Sequence, residues 1–181
     1  GVRCVSETAM HEIPRNRALL SRGDELAEWA ARLKDYDGLV RLKMGLGTAR
    51  LNIGKTESGL KLMFEALGIA RKHRLRQKFA VLNRMCFTHI RIGELDKAAD
   101  FAREATLTAE SFGDAHGVAN GYLMMARVNW QTGDLEAAAF GVTEAAIRFE
   151  RTGCRRGLAE VWNTRGELAR SRGDLDEAEL A

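Results

Sequence analysis

Gly133-Asp134-Leu135-Glu136-Ala137-Ala138 decides the fold, because the chain spells it three times. Gly93-Glu94-Leu95-Asp96-Lys97-Ala98 precedes it, and Gly173-Asp174-Leu175-Asp176-Glu177-Ala178 follows it by an equal step. A weaker relative, Gly54-Lys55-Thr56-Glu57-Ser58-Gly59, stands almost the same step before the first of these. Self-similarity at such a period, about 40 residues, marks a stacked array of one supersecondary unit. The glycine ends a helix through left-handed backbone geometry. The acidic residue after it, Asp134 or Glu94, starts the next helix, where a carboxylate can meet free N–H groups and the positive end of the dipole.

Working outward, Gly38, Gly117 and Gly157 stand at one common offset before the turn glycines Gly54, Gly133 and Gly173, and Gln77 holds that place before Gly93. The spacing predicts helices over about 39–53, 55–72, 76–92, 94–112, 116–132, 134–151, 156–172 and from 174 onward, with no strand. Along the second helix of each unit runs an apolar stripe at helical period: Leu95, Ala98, Ala102, Ala105 and Ala109, then Leu135, Ala138, Val142, Ala145 and Phe149. Small residues recur at matched places (Gly59 and Ala66, Ala98 and Ala105, Ala138 and Ala145), where they set the distance between paired helices. Before the regular units, Pro14 fits the first turn of a helix, which should stop at Gly23. Gly23-Asp24-Glu25-Leu26 then reads as a degenerate copy of the turn, opening a helix to about Lys34 with Leu26, Trp29, Ala30 and Leu33 on one face.

The chain thus divides into a poorly patterned leader (1–13), a degenerate repeat (14–37), three full repeats (38–76, 77–115 and 116–155) and a truncated one (156–181), all in one repeat domain. It has no initiating Met and stops soon after Gly173, so it reads as a piece of a longer protein.

Composition excludes several function classes. A net charge of +3 is too mild to argue for nucleic acid by itself. Cys4, Cys86 and Cys154 are odd in number with no CxxC pair, which favours a reducing, cytoplasmic compartment and no structural zinc. No window is apolar over the roughly 18 residues a span requires. The histidines, at 11, 73, 89 and 116, have no i,i+4 partner; no metal, cofactor or catalytic set can be assembled, and the chain reads as a non-enzyme. Gly54-Lys55-Thr56 lacks the upstream glycine and strand that a phosphate loop needs. Arg22-Gly23-Asp24 and Arg172-Gly173-Asp174 are the repeated turn in another spelling. The basic run Arg71-Lys72-His73-Arg74-Leu75-Arg76-Gln77-Lys78 could grip an acidic partner. It has no interleaved aromatics, and its cations suit a helix C-terminus, so the reading is weighted against a nucleic-acid-binding repeat.

Trp162, Arg165, Gly166, Gly173 and Ala178 stand at the spacing of the tetratricopeptide repeat, which the chain resembles. Leu46-Gly47 before Gly54 with Ala66 after, and Met125-Ala126 before Gly133 with Ala138 and Ala145 after, fit it too. The 40-residue step looks like the long-helix variety of kinesin light chains, spindle-orientation adaptors and large bacterial regulators. Cys86 departs from the small residue preferred at its place, and Arg165 from the preferred Leu. The resemblance implies an all-α fold, an α-solenoid of stacked antiparallel helical hairpins in a right-handed superhelix. It implies a protein-interaction module, with the first helices of successive units lining a concave groove.

Fixed offsets from the turn glycine then give candidate groove rows: Met44, Asn83, Leu123 and Asn163; Thr48, Phe87, Arg127 and Glu167; and Leu51, Ile90, Trp130 and Arg170. Amides can hold a peptide backbone, and Phe87 or Trp130 can supply an apolar anchor. Trp130 fits inter-repeat packing equally well. The partners implied are a protein or peptide ligand, which could be an attached domain of the same chain in a larger bacterial regulator. Self-association through the truncated C-terminal repeat, whose Leu175 and Ala178 expect a neighbour, is the alternative.

Overall fold

The computed structural model describes residues 21–173, and every regular element among them is a helix. Helix α1 occupies residues 21–32. It is followed by α2 (Tyr36–Asn52), α3 (Thr56–Lys72), α4 (Gln77–Arg91), α5 (Leu95–Ser111), α6 (Ala115–Thr132), α7 (Leu135–Thr152) and α8 (Arg155–Arg172). The glycine spacing predicts these bounds to within a turn at each end. The leader and the last turn copy, including Leu175 and Ala178, lie outside the described residues.

One backbone device joins the described helices. A residue with positive φ stands at 34, 54, 74, 93, 113, 133, 153 and 173, so the rhythm is half the repeat. Six of these are glycines, but Lys34 (φ 57°) and Arg74 (φ 52°) adopt the same left-handed conformation. At each of the first seven joints the next N–H reaches back across the joint to a carbonyl of the ending helix. Asp35 N donates to Ala30 O, Lys55 to Arg50, Leu75 to Ala70, Glu94 to His89, Asp114 to Ala109, Asp134 to Asn129 and Cys154 to Phe149, all at 2.9–3.0 Å. This is the Schellman closure, which satisfies carbonyls that the ending helix leaves free.

Capping of the following helix varies. Asp35, Asp114 and Asp134 accept from the N–H three residues on, at 2.9–3.0 Å, and the Cys154 thiol does so at 3.3 Å. Glu94, expected to cap in the same way, makes no such bond. Its longer side chain turns back to His89 Nδ1 (2.6 Å) and across to Lys97 Nζ (3.0 Å). Hydrogen bonds from Lys97 and His89 hold the Glu94 carboxyl below its usual range.

Contacts cluster into two units, divided after Gln77. In the first, α2 and α3 pair through Gly47 and Gly59: a Cβ on either would sit 2.9 Å from the other's carbonyl oxygen. Lys43 and Glu65 bridge the same pair of helices at 2.6 Å. The break expected at Gly23 is absent, since residues 21–32 form one helix through it. Gly23 is buried against Leu46, so its small size serves a close approach rather than a turn. The stripe expected on α1 is also not buried: Ala30 is, but Leu26, Trp29 and Leu33 are exposed.

In the second unit, α5 packs on α6, α6 on α7 and α7 on α8. The expected small positions Ala98, Ala105, Ala138 and Ala145 are all fully buried. Gly121 and Gly141 add further close approaches, against Thr106 and Ala126 respectively. Burial of apolar surface at about 25 cal/mol per Å² is the main stabilising term here, and alanines allow it by letting the helix axes draw together.

Candidate functional site

In the second unit, α4, α6 and α8, the first helices of three successive hairpins, enclose an open cavity of about 550 Å³. Helix α4 contributes Phe79, Ala80, Asn83, Arg84 and Phe87; α6 contributes His116, Asn120, Met124 and Arg127; α8 contributes Arg156, Gly157 and Glu160. Three arginines therefore share the space with one carboxylate. Arg127 is mostly buried and doubly held: its Nε donates to Thr164 Oγ1 at 3.2 Å, and its Nη1 lies 3.9 Å from Glu160 Oε2. Glu160 Oε1 also lies 3.7 Å from Arg156 Nε, whose side chain is 91% exposed.

Two amides face the cavity. Asn120 Nδ2 donates to His116 O at 3.2 Å. Asn83 Oδ1 is buried without a hydrogen-bond partner. An unpaired buried acceptor costs on the order of 1–3 kcal/mol; this oxygen is sealed from solvent, and Asn83 meets the cavity through the rest of its half-buried side chain. Phe87 is exposed and Met124 nearly buried, giving an apolar strip between the polar groups.

Of the residues that fixed offsets select, the cavity gathers Asn83, Phe87 and Arg127. Leu123 is fully buried in the core and has no surface to offer a ligand, which corrects its assignment to the groove. Trp130 packs against the same core, and its indole N–H donates to Ser171 Oγ at 2.8 Å; it does not line the cavity, nor does Ile90, which also packs on the core. Asn163 is exposed and Glu167 half-buried on α8, both off the cavity wall. Met44 and Thr48 belong to α2 of the first unit, where both are half-buried and Thr48 Oγ1 donates to Met44 O at 2.9 Å.

Sequence counting missed Phe79, Arg84, His116, Asn120, Met124, Arg156 and Glu160. A signal for part of this set lies in a neighbouring row: Ala80, Asn120 and Glu160 share one offset before the turn glycines Gly93, Gly133 and Gly173. The cavity runs along α4 from its first turn to Phe87 but meets only the first turns of α8.

Elsewhere, the basic run is partly absorbed by local structure. His73 stacks on Tyr36 with centroids 3.6 Å apart, Arg71 and Lys72 fall in the last turn of α3, and Lys78 pairs with Glu104 at 3.3 Å. Burial pushes the Cys86 thiol up to about 12, against a smaller opposing effect of the Arg127 charge. No group of His, Cys, Asp and Glu among the described residues could hold a metal. No helix among them is long and apolar enough to cross a membrane.

No protein-family model and no curated protein sequence matches the chain. Solved structures do. BtubC (BKLC) from P. vanneervenii, a kinesin light chain-like protein, superposes with a TM-score of 0.76 at 25% identity, over 91% of this chain and 70% of that one. The fold is a tetratricopeptide-like helical repeat. It is an all-α solenoid of antiparallel hairpins, as the repeated turn predicts.

Proposed function

We propose that this protein is an interaction module that works by binding rather than catalysis, holding a peptide or the surface of a partner domain in the cavity of its second unit. One observation carries the reading: α4, α6 and α8 jointly present aromatic, amide and guanidinium groups to a space large enough for several side chains. An amide pairs with an extended backbone, an aromatic ring anchors an apolar side chain, and an arginine fork fixes register. The likeness to BtubC supports a repeat scaffold of this kind. The resemblance to repeats of large bacterial regulators supports a regulatory role, with the partner supplied by an attached domain or a second protein.

Peptides selected from a random library against this protein test the reading. Their affinity should fall about tenfold or more on Asn83→Ala or Phe87→Ala, the size of loss expected for central anchors. Peptides that bind both variants as tightly as the parent would place recognition elsewhere.

A self-associating scaffold is the second reading. It is favoured by Trp162, a large aromatic left 45% exposed on α8, the last helix described. Sedimentation of the parent and of Trp162→Glu separates the two: a concentration-dependent dimer that the substitution dissolves would support association through this end.

A further inference from the structure

Glu160 sits in the cavity as an anion would. Its two carboxylate oxygens are shared between Arg127 and Arg156, and all three residues line the same space. Both contacts are long, at 3.9 and 3.7 Å, and one partner is almost wholly in solvent. The solvent-exposed pair with Arg156 contributes little, and at 3.9 Å the Arg127 contact is too long for a hydrogen bond, so Glu160 is readily displaced. Arg127 is in a different position. Its side chain is only 16% exposed, and Thr164 fixes its Nε end. A guanidinium so placed is less favourable without a counter-charge, so when Glu160 leaves it draws in another anion, while the Thr164 bond keeps it in position.

We propose that Glu160 is an internal occupant of the cavity's anion subsite, and that the cavity takes an acidic peptide whose carboxylate replaces Glu160 between Arg127 and Arg156. This rests on the peptide-binding reading of the cavity given above. Displacement makes Glu160 a specificity determinant. A neutral peptide leaves the internal pair intact and gains nothing from the arginines. An acidic one exchanges a loose contact for a closer one, while Arg84 offers a further cation at the rim. The half-buried Asn83 amide lines the same cavity beside the arginines.

A fluorescein-labelled octaglutamate peptide, read by anisotropy at about 0.15 M salt, where the Debye length is about 8 Å, serves as the probe. Glu160→Gln keeps the shape and removes the competitor, so affinity should rise about tenfold, as expected when a like charge leaves a charged contact. Arg156→Gln should weaken binding by a similar factor; its exposed side chain makes it safe for folding, where Arg127→Gln could also unfold the unit. Glu167→Gln removes an equal charge from α8 outside the cavity, about two helical turns from Glu160, and should change affinity less than about twofold, because at that salt charges more than about 8 Å apart are largely screened.

If Glu160→Gln binds no better than the parent, or no better than Glu167→Gln, displacement is wrong. If octaglutamate binds neither parent nor Glu160→Gln while library-selected neutral peptides still depend on Asn83 and Phe87, the acidic class is wrong and the peptide-binding reading stands. If no peptide depends on Asn83 or Phe87, that reading itself fails. Tighter binding of a single-stranded oligothymidylate than of octaglutamate by Glu160→Gln would overturn the proposal in favour of nucleic acid.

Discussion

The two units build the same hairpin with glycine placed differently. In the first, the closest point between paired helices is glycine on glycine, Gly47 against Gly59, while two of its joints, Lys34 and Arg74, carry long charged side chains in left-handed backbone. In the second, the equivalent helix contacts hold Cys86 with Ala98 and Ala126 with Ala138, all fully buried, and every joint is glycine. The joint and the contact are therefore separate requirements. The joint needs a backbone conformation, which glycine adopts without strain and other residues at a cost of about 1–2 kcal/mol. The contact needs a small volume, which glycine, alanine or cysteine can supply at slightly different axial distances.

The sharpest way to break this comparison is to exchange the contacts. Gly59→Val should lower stability by about 3 kcal/mol, at the upper end for overpacking, because its Cβ would meet the Gly47 carbonyl at 2.9 Å and Leu51 Cγ at 2.7 Å. Ala138→Gly should cost only about 1 kcal/mol, the helix-propensity difference. Urea unfolding of both variants measures this, and equal losses would mean that the units tolerate volume alike.

Next comes Cys86, the largest of the small contact residues. Its thiol is raised in the folded protein from 9.0 to about 12, so the folded state holds the proton more tightly than the unfolded chain. The associated stability is fully present below the unfolded value of 9.0 and is lost as pH climbs toward about 12. Chemical denaturation across that range should show a decline that Cys86→Ala lacks. The same burial should leave Cys86 slow toward thiol reagents while half-buried Cys154 labels before it, which mass mapping of the native protein would read directly.

At the joints the expected effect is smaller and opposite in sign. Arg74→Gly and Lys34→Gly should each stabilise by about 0.5 kcal/mol, the relief of left-handed strain less the added freedom of glycine in the unfolded chain. A thermal midpoint that falls in both would show that these side chains contribute contacts outweighing the strain. The smallest effect concerns Glu94, whose carboxyl is held low by Lys97 and His89. Its contribution is present above the ordinary value of 4.5 and fades as pH drops through the folded value. Glu94→Gln should flatten the acid limb of the stability profile slightly, as a pH series of melts would show.

These contrasts also explain what could be read from the chain alone. The fold is legible because the turn glycine, the small contact residue and the apolar stripe repeat at one period, so three independent signals agree on α5 and α7. Gly23 was misleading because glycine has two uses, and a glycine followed by an acidic residue looks alike in both. Lys34 and Arg74 were invisible as joints, since nothing in a lysine or arginine announces left-handed backbone.

The cavity was only partly legible for a geometric reason. Counting by fixed offsets assumes that successive helices present the same face at the same height, which holds for Phe87 and Arg127. It fails at Leu123, where the α6 face between Asn120 and Met124 has already turned into the core. The internal pair of Glu160 with two arginines depends on Arg127 of α6 meeting a side chain of α8, with the whole of α7 between them in the chain. No local pattern encodes that meeting.

The Schellman closure at 35, 55, 75, 94, 114, 134 and 154 has a consequence for how such a chain can change length. Each closure is complete between the last turn of one helix and the first residue beyond the joint, and it borrows nothing from further away. Adding or deleting a two-helix segment between matching joints therefore leaves every remaining joint chemically whole, and only the new neighbours' faces must be compatible. The molecule is modular at the level of its hydrogen bonds, so gene duplication can lengthen the array one hairpin at a time without first inventing a new connection.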